Sequence, residues 1–211
     1  MRERKQKPPL NKKRNSRDSL PGVFLYNLPM SSFLAIDFET ANYAPDSACA
    51  IGLVRAEDGK ITDERSFLIR PPSQDFFFTH IHGITWPDVI MEPTFGELWP
   101  EIAHWFDGVD FLTAHNSGFD SKVLKSCCAT YQLENPETEF VCTVKMARRM
   151  WNVRPTKLPN VAEYLGLSLN HHDALSDSRA CANIVLAAMN DGWAYDTGYA
   201  NVGERYTALE E

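Results

Sequence analysis

Cysteine is scarce, and none of it is spaced to hold zinc. The five residues Cys49, Cys127, Cys128, Cys142 and Cys181 are odd in number and include no C-x-x-C pair. Neither a disulfide framework nor a zinc knuckle is indicated, and reduced thiols in the cytoplasm are expected. Long apolar runs are missing too: nothing approaches the ~18 residues of a membrane span. The apolar stretch Val23–Leu28 is too short and too late for a secretory signal. A net positive balance is confined to one end. Of 21 Lys and Arg, eight lie in residues 1–18 with two of the 28 acids, so the remainder carries 13 basic and 26 acidic residues, net −13. A body that acidic is not suited to hold nucleic acid on a broad basic face. Any grip must be local, through cations and a short cleft.

What is present suits one α/β domain. The 211 residues are 44% hydrophobic and 23% charged, enough for a sizeable core. Residues 1–30 read as a basic tail with little to bury, either a solvated, disordered leader or an arm that touches phosphates or a partner. The domain is expected over 31–189. Phe33 to Asp37 reads as a buried strand, and Ala48 to Arg55 and Ile61 to Ile69 as two more, joined through Glu57-Asp58-Gly59 into an antiparallel meander. Arg70 to Pro93 reads as a long loop. Thr94 to Glu97 carries a capping-box signature, and Phe95, Leu98, Ile102 and Phe106 follow at helical spacing, with Pro100 expected to kink the helix or delay its start.

Strands at Val109 to Thr113 and Glu139 to Thr143 then alternate with helices at Ser117 to Tyr131, Val144 to Trp151, Leu158 to Leu165 and Ala174 to Met189. Together these predict a ribonuclease-H-like α/β fold, a mixed five-stranded sheet sandwiched by helices. Residues 190–211 read as a loosely docked extension.

Chemistry concentrates in three places. In Asp37-Phe38-Glu39, strand alternation puts both carboxylates on one face and Phe38 on the other. Asp120, in Asn116-Ser117-Gly118-Phe119-Asp120, falls in the first turn of a helix that follows a strand, and Asp177 lies in the first turns of the last helix, with His172 at its mouth. Singly, each acid has a plain alternative: a solvated strand end, or a carboxylate at the positive end of a helix dipole. Their conjunction argues for a site. Phosphodiester hydrolysis uses two cations ~3.5–4 Å apart on the attacking and leaving oxygens. Four carboxylates offset most of their charge, and a histidine can take the proton from water. Carboxylate oxygens alone favour Mg²⁺ or Mn²⁺. His171 and Asp173 read as solvated loop residues, or a cap in the case of Asp173.

In order and spacing, Phe33 to Thr40, Ala114 to Asp120 and His172 to Asp177 resemble the three motifs of the DEDDh 3′–5′ exonucleases, and within them the proteins similar to the proofreading epsilon subunit of DNA polymerase III. His82-Gly83-Ile84-Thr85, Phe95 to Ile102 and Cys142-Thr143-Val144-Lys145 resemble that subgroup's signature. The likeness spans about residues 31–189. It implies that Asp37, Glu39, Asp120 and Asp177 hold two metal ions per active site and that His172 is the general base. It further implies that Phe38 and Thr40 meet the terminal nucleotide, by backbone and hydroxyl, and that His115, Asn116 and Phe119 line the same pocket. A sister group has tyrosine where His172 stands.

The implied substrate is a nucleic acid 3′ end, DNA ahead of RNA, with a DNA polymerase as a possible partner. An RNA 3′-end trimmer is the alternative, distinguished by a contact to the 2′-hydroxyl. A non-catalytic module is disfavoured because no carboxylate is missing. Both a monomer and a homodimer are compatible with the sequence. Two features lie outside the motifs. Phe76, Phe77, Phe78 and Trp86 are expected to be buried against the sheet, with base stacking as the other reading. Arg148, Arg149, Arg154 and Lys157 form a basic cluster, read either as phosphate contacts or as a solvated helix face.

Overall fold

Strand alternation along Phe33–Thr40 organises the molecule. The structure, a computed structural model, describes residues 31–195. Its first strand, β1 (Phe33–Thr40), sends Phe33 and Ala35 into one hydrophobic core and Leu34, Ile36 and Phe38 into another. The strand therefore divides the two layers, and Asp37 and Glu39 continue the face of Phe33 and Ala35.

β1 pairs antiparallel with β2 (Ala48–Glu57), which pairs antiparallel with β3 (Lys60–Leu68), giving the expected meander. On its other side β1 pairs parallel with β4 (Phe111–Ala114), and β4 pairs parallel with β5 (Phe140–Cys142). The order is β3-β2-β1-β4-β5, a mixed five-stranded sheet.

Ahead of β4 lie α1 (Thr79–His82), α2 (Trp86–Val89) and α3 (Phe95–Ile102), and after it α4 (Gly118–Thr130), α5 (Thr143–Trp151), α6 (Leu158–Leu165) and α7 (Ala174–Asn190). One core packs Phe95, Leu98 and Ile102 of α3 and Val123, Leu124 and Cys127 of α4 on the sheet. The other packs Met146 of α5, Val161 of α6, and Cys181, Ile184 and Val185 of α7. All five cysteines are free.

Two sequence readings change here. Arg70 to Pro93 is not one loop, since α1 and α2 interrupt it. Thr85 and Asp88 form a capping box on α2, the same signature that identified α3, and it was legible in the sequence. Pro100 does not delay α3, which starts at Phe95 behind its Thr94 cap. The α-helix passes at Ile102 into a 3-10 turn, Ala103–Phe106.

The start of the expected loose extension is packed. Trp193 is buried, its N–H donates to the Ala188 carbonyl at 2.8 Å, and its ring meets Phe111 edge-on at 5.7 Å. Residues 1–30 and 196–211 lie outside the described residues.

Three features aim the sheet at a site. β1 runs on past Ala35, its last partner across β4, so Asp37 and Glu39 lie beyond the carboxyl end of the parallel pairing. Opposite them the pairing passes from Glu39–Ala50 to Thr40–Ala48, leaving Cys49 as a bulge, a device that re-aims side chains. Gly52, the partner of Asp37, lets α7 begin directly on the sheet. A Cβ there would stand 2.0 Å from the Ala174 carbonyl oxygen. That close approach sets the distance from β1 to Asp177.

Candidate active site

Asp37, Glu39 and Asp177 offer carboxylate oxygens that all lie within 4.8 Å of one another. Two come from consecutive same-face positions of β1 and the third from the first turn of α7. Asp120, in the first turn of α4 and only 2% exposed, stands beside them. Its Oδ1 accepts a hydrogen bond from the Phe38 N–H at 3.1 Å. The backbone between the two β1 acids thereby anchors the fourth.

Electrostatics shows what this crowding costs. Burial, then repulsion by Asp120, Asp177 and Glu39, holds the Asp37 carboxyl well above the usual carboxylate range. Burial, then Asp177 and Asp120, pushes Glu39 up to about 8. Burial raises Asp120 to about 7 against the pull of the Phe38 N–H, and raises Asp177 against the His172 N–H and His171. Four acids so arranged need protons or cations.

Asp177 shows which. Its Oδ2 accepts from His171 Nδ1 at 2.8 Å and from the His172 N–H at 3.2 Å, while its Oδ1 is buried with no hydrogen-bond partner. An orphaned carboxylate oxygen among other carboxylates fits a hard divalent cation. The residues present fit the metal ions that such a site implies.

This arrangement has a measurable consequence. Carboxyls raised in the folded state bind more protons there than in the unfolded chain. Their contribution to stability is present below the ordinary carboxylate range and lost as the pH rises through about 7 for Asp120 and 8 for Glu39. In EDTA, thermal unfolding is expected at progressively lower temperature from pH 5 to 8.5. Mg²⁺ should restore stability more at pH 8 than at pH 6, because it replaces those protons. A flat profile, unaltered by Mg²⁺, would show that the acids do not share one charged cradle.

His172 sits at the mouth of α7 with φ of 71°, in the left-handed region that costs a non-glycine residue energy. That conformation brings its N–H to Asp177. Its ring stacks on His171 with centroids 3.8 Å apart. Burial and the neighbouring His171 lower its pKa, against an opposing pull from Asp177.

His171 partly corrects the sequence reading. It lies in an exposed turn as expected, but it also bonds Asp177 and stacks on the His172 ring. Asp173 is the cap of α7, accepting from the Ser176 N–H at 2.8 Å. His82, from the signature His82-Gly83-Ile84-Thr85, ties two segments of the site together. Its Nδ1 accepts from the Ile84 N–H (3.1 Å), leaving Nε2–H to donate to the Thr40 carbonyl (3.2 Å).

Two cavities, of about 320 and 290 Å³, flank the carboxylates and share Asp37, His171 and Asp177 as a common wall. Phe38, Thr40 and Phe119 line the smaller one with Phe78, Ile81 and His82. His115 and Asn116 line the larger, with Thr156, Lys157 and Leu158. The family resemblance groups His115, Asn116 and Phe119 at one nucleotide pocket; here His115 and Asn116 line the larger cavity and Phe119 the adjoining smaller one.

The reason lies in partners distant in sequence. Half-buried His115 donates Nε2–H to the Thr156 carbonyl (2.9 Å) and accepts at Nδ1 from the Thr143 hydroxyl (2.8 Å), so both ring nitrogens are committed to the fold. The Phe38 N–H is likewise committed, to Asp120.

The aromatic loop also departs from expectation. Phe76, Phe77, Phe78 and Trp86 belong to neither core. Phe77 is 57% exposed, and Phe78 faces the smaller cavity with Tyr43 edge-on against it at 4.8 Å. Tyr43, which sequence reasoning passed over, is 81% exposed.

A mixed sheet in this order, with acids from three segments gathered at the carboxyl end of its parallel strands, defines the ribonuclease-H-like nucleases as a class. The exonuclease family RNase_T matches residues 34–185, and the chain belongs to that family, among its DEDDh exonucleases. These enzymes are metal-dependent and act on nucleic acid.

Exodeoxyribonuclease 10 of Escherichia coli K12 is 34% identical over 154 residues, 68% of this chain and 63% of that protein. The PolC-type DNA polymerase III of Thermotoga petrophila is 31% identical over 160 residues, 74% of this chain but 12% of the polymerase. The chain thus spans less than two thirds of either relative. Among solved structures, exonuclease X in complex with 5′ overhanging duplex DNA superposes with a TM-score of 0.63 at 28% identity, covering 77% of this chain and 94% of that one. The nuclease domain of 3′hExo, bound to rAMP, shares the fold with a TM-score of 0.67 at 23% identity, covering 79% and 97%.

Among the described residues, no helix is long and apolar enough to cross a membrane.

Proposed function

We propose that the protein is a 3′–5′ exonuclease that releases nucleoside 5′-monophosphates from the 3′ end of DNA, preferring single strands, in repair, turnover or proofreading. One observation carries this reading: the oxygens of Asp37, Glu39 and Asp177 lie within 4.8 Å of one another, and His172 bonds Asp177 through its backbone. Asp37, Glu39, Asp120 and Asp177 would hold two Mg²⁺ or Mn²⁺ ions, which would offset the carboxylate charge and supply Lewis-acid stabilisation of the leaving 3′ oxygen. His172, neutral at physiological pH, takes the proton of the attacking water. His171 keeps Asp177 Oδ2 occupied, which leaves Oδ1 available as a ligand atom. Thr40 and Phe119 receive the terminal nucleotide in the smaller cavity.

DNA is favoured over RNA by the likeness to Exodeoxyribonuclease 10. The PolC-type relatives support work beside a DNA polymerase as one setting for the same activity. Digestion of 3′- and 5′-labelled single- and double-stranded DNA and RNA, with and without EDTA, tests polarity, sugar and strand preference together. A 3′-shortened ladder from DNA that vanishes in EDTA is expected. No ladder from any substrate would sink the proposal, and faster digestion of RNA would reverse the sugar assignment.

The preference for single strands rests on the ledge made by Tyr43, Phe77 and Phe78. Stacking an unpaired base on such a ring contributes ~1–3 kcal/mol. Tyr43→Ala and Phe78→Ala are each expected to raise KM for single-stranded DNA about 5- to 100-fold, read by steady-state kinetics on oligothymidylate. A KM within about twofold of wild type in both variants would leave these rings no part in binding.

A further inference from the structure

We propose that the larger cavity is the path of the strand upstream of the cut, and that Lys157 holds the second phosphate from the 3′ end. This rests on the exonuclease reading above and adds a binding residue to it. The argument begins with the shared wall. Asp37, Asp177 and His171 border both cavities, so a phosphodiester over these acids has one nucleoside on each side. The two sides differ in chemistry. The smaller cavity presents Phe38, Phe78, Ile81 and Phe119, apolar surface for a base and sugar. The larger has no phenyl or indole ring and presents Lys157, Thr156 and Asn116 instead. The terminal nucleoside belongs with the rings, and the remaining backbone with the cation and the polar groups.

Lys157 is suited to that task. It is exposed and forms no ion pair among the described residues, although Asp37 and Asp177 border the same cavity. Its backbone is held from several directions. His115 Nε2–H bonds the preceding carbonyl, that of Thr156, at 2.9 Å, and Arg148 Nε donates to the Thr156 hydroxyl at 2.8 Å. The Lys157 carbonyl accepts from the Asn160 and Val161 N–H groups of α6, whose Leu158 and Val161 are buried. A mobile ammonium on a fixed backbone, in a body otherwise rich in acid, provides the local grip that the charge distribution requires. His115, with both ring nitrogens engaged, is a positioning residue for this segment rather than a nucleotide contact.

The test is a cycle of substrate and enzyme changes. Wild type, Lys157→Gln and Lys157→Arg are assayed with Mg²⁺ on two single-stranded oligothymidylates. One is all phosphodiester, and the other has a neutral methylphosphonate at the second linkage from the 3′ end. Removing either charge is expected to raise KM about 5- to 20-fold, with a much smaller change in kcat. Lys157→Gln on the methylphosphonate should show no second rise, and Lys157→Arg should recover most of the affinity for the diester. Two losses that multiply, or a Lys157→Gln KM equal to wild type, would overturn the subsite. Absence of nucleotide release by wild type would instead sink the exonuclease reading, and the subsite with it.

Discussion

Asp37→Ala is expected to lower kcat by more than about 10⁴-fold, beyond what loss of a general base alone removes. Asp37 lies at the centre of the charge cluster, with Asp120, Asp177 and Glu39 all raising its pKa. With Asp177 and His171 it also borders both cavities, which places it between the nucleosides flanking the cut. Loss of a structural residue would reduce activity by unfolding the protein. Loss of a ligand that is repelled by its neighbours should do the opposite to stability. In EDTA at pH 8, Asp37→Asn should unfold at a temperature no lower than wild type, while Mg²⁺ should stabilise it far less. Steady-state rates and thermal unfolding, with and without Mg²⁺, check both halves. Full Mg²⁺-dependent turnover in Asp37→Ala would discredit the whole carboxylate assignment.

His172→Ala should have the next largest effect, lowering kcat by about 10²–10⁴-fold while Mg²⁺ still stabilises the protein. The side chain does not hold Asp177; only the His172 backbone N–H does, and alanine keeps that N–H. The pH profile separates base catalysis from simple disturbance. A general base must be neutral, and burial with the adjacent His171 holds the His172 pKa below the ordinary histidine value. The rising limb of kcat at saturating Mg²⁺ should therefore lie below about pH 6.5, lower than an unperturbed histidine would set it. His172→Ala should lack that limb. A near wild-type rate would remove the imidazole from the reaction.

The three acidic segments were legible because each depends on local periodicity. Asp37 and Glu39 share a face because a strand alternates, and Asp120 and Asp177 occupy first turns because helices follow strands and caps at fixed offsets. The antiparallel meander was legible for the same reason. His171 was not. Beside His172 it looked like loop, and nothing nearby in the sequence indicates that α7 would bring Asp177 within 2.8 Å of its ring. The exposure of Phe77, and the place of Phe78 on the smaller cavity, also ran against composition. Three consecutive phenylalanines suggest a core, but α1 and α2 carry that segment over the site instead of into the sheet.

Local sequence sets which chemical groups are present and the direction each takes from its own element, since these follow from dihedral periods that act over a few residues. How those elements meet is settled by long-range packing. It put α7 against Gly52, gave Asp177 one paired and one orphaned oxygen, and sent His115 and Phe119 to opposite sides of a carboxylate wall. Such choices depend on close packing between residues far apart in the chain, where one missing Cβ or one bulge moves a side chain from one cavity to another.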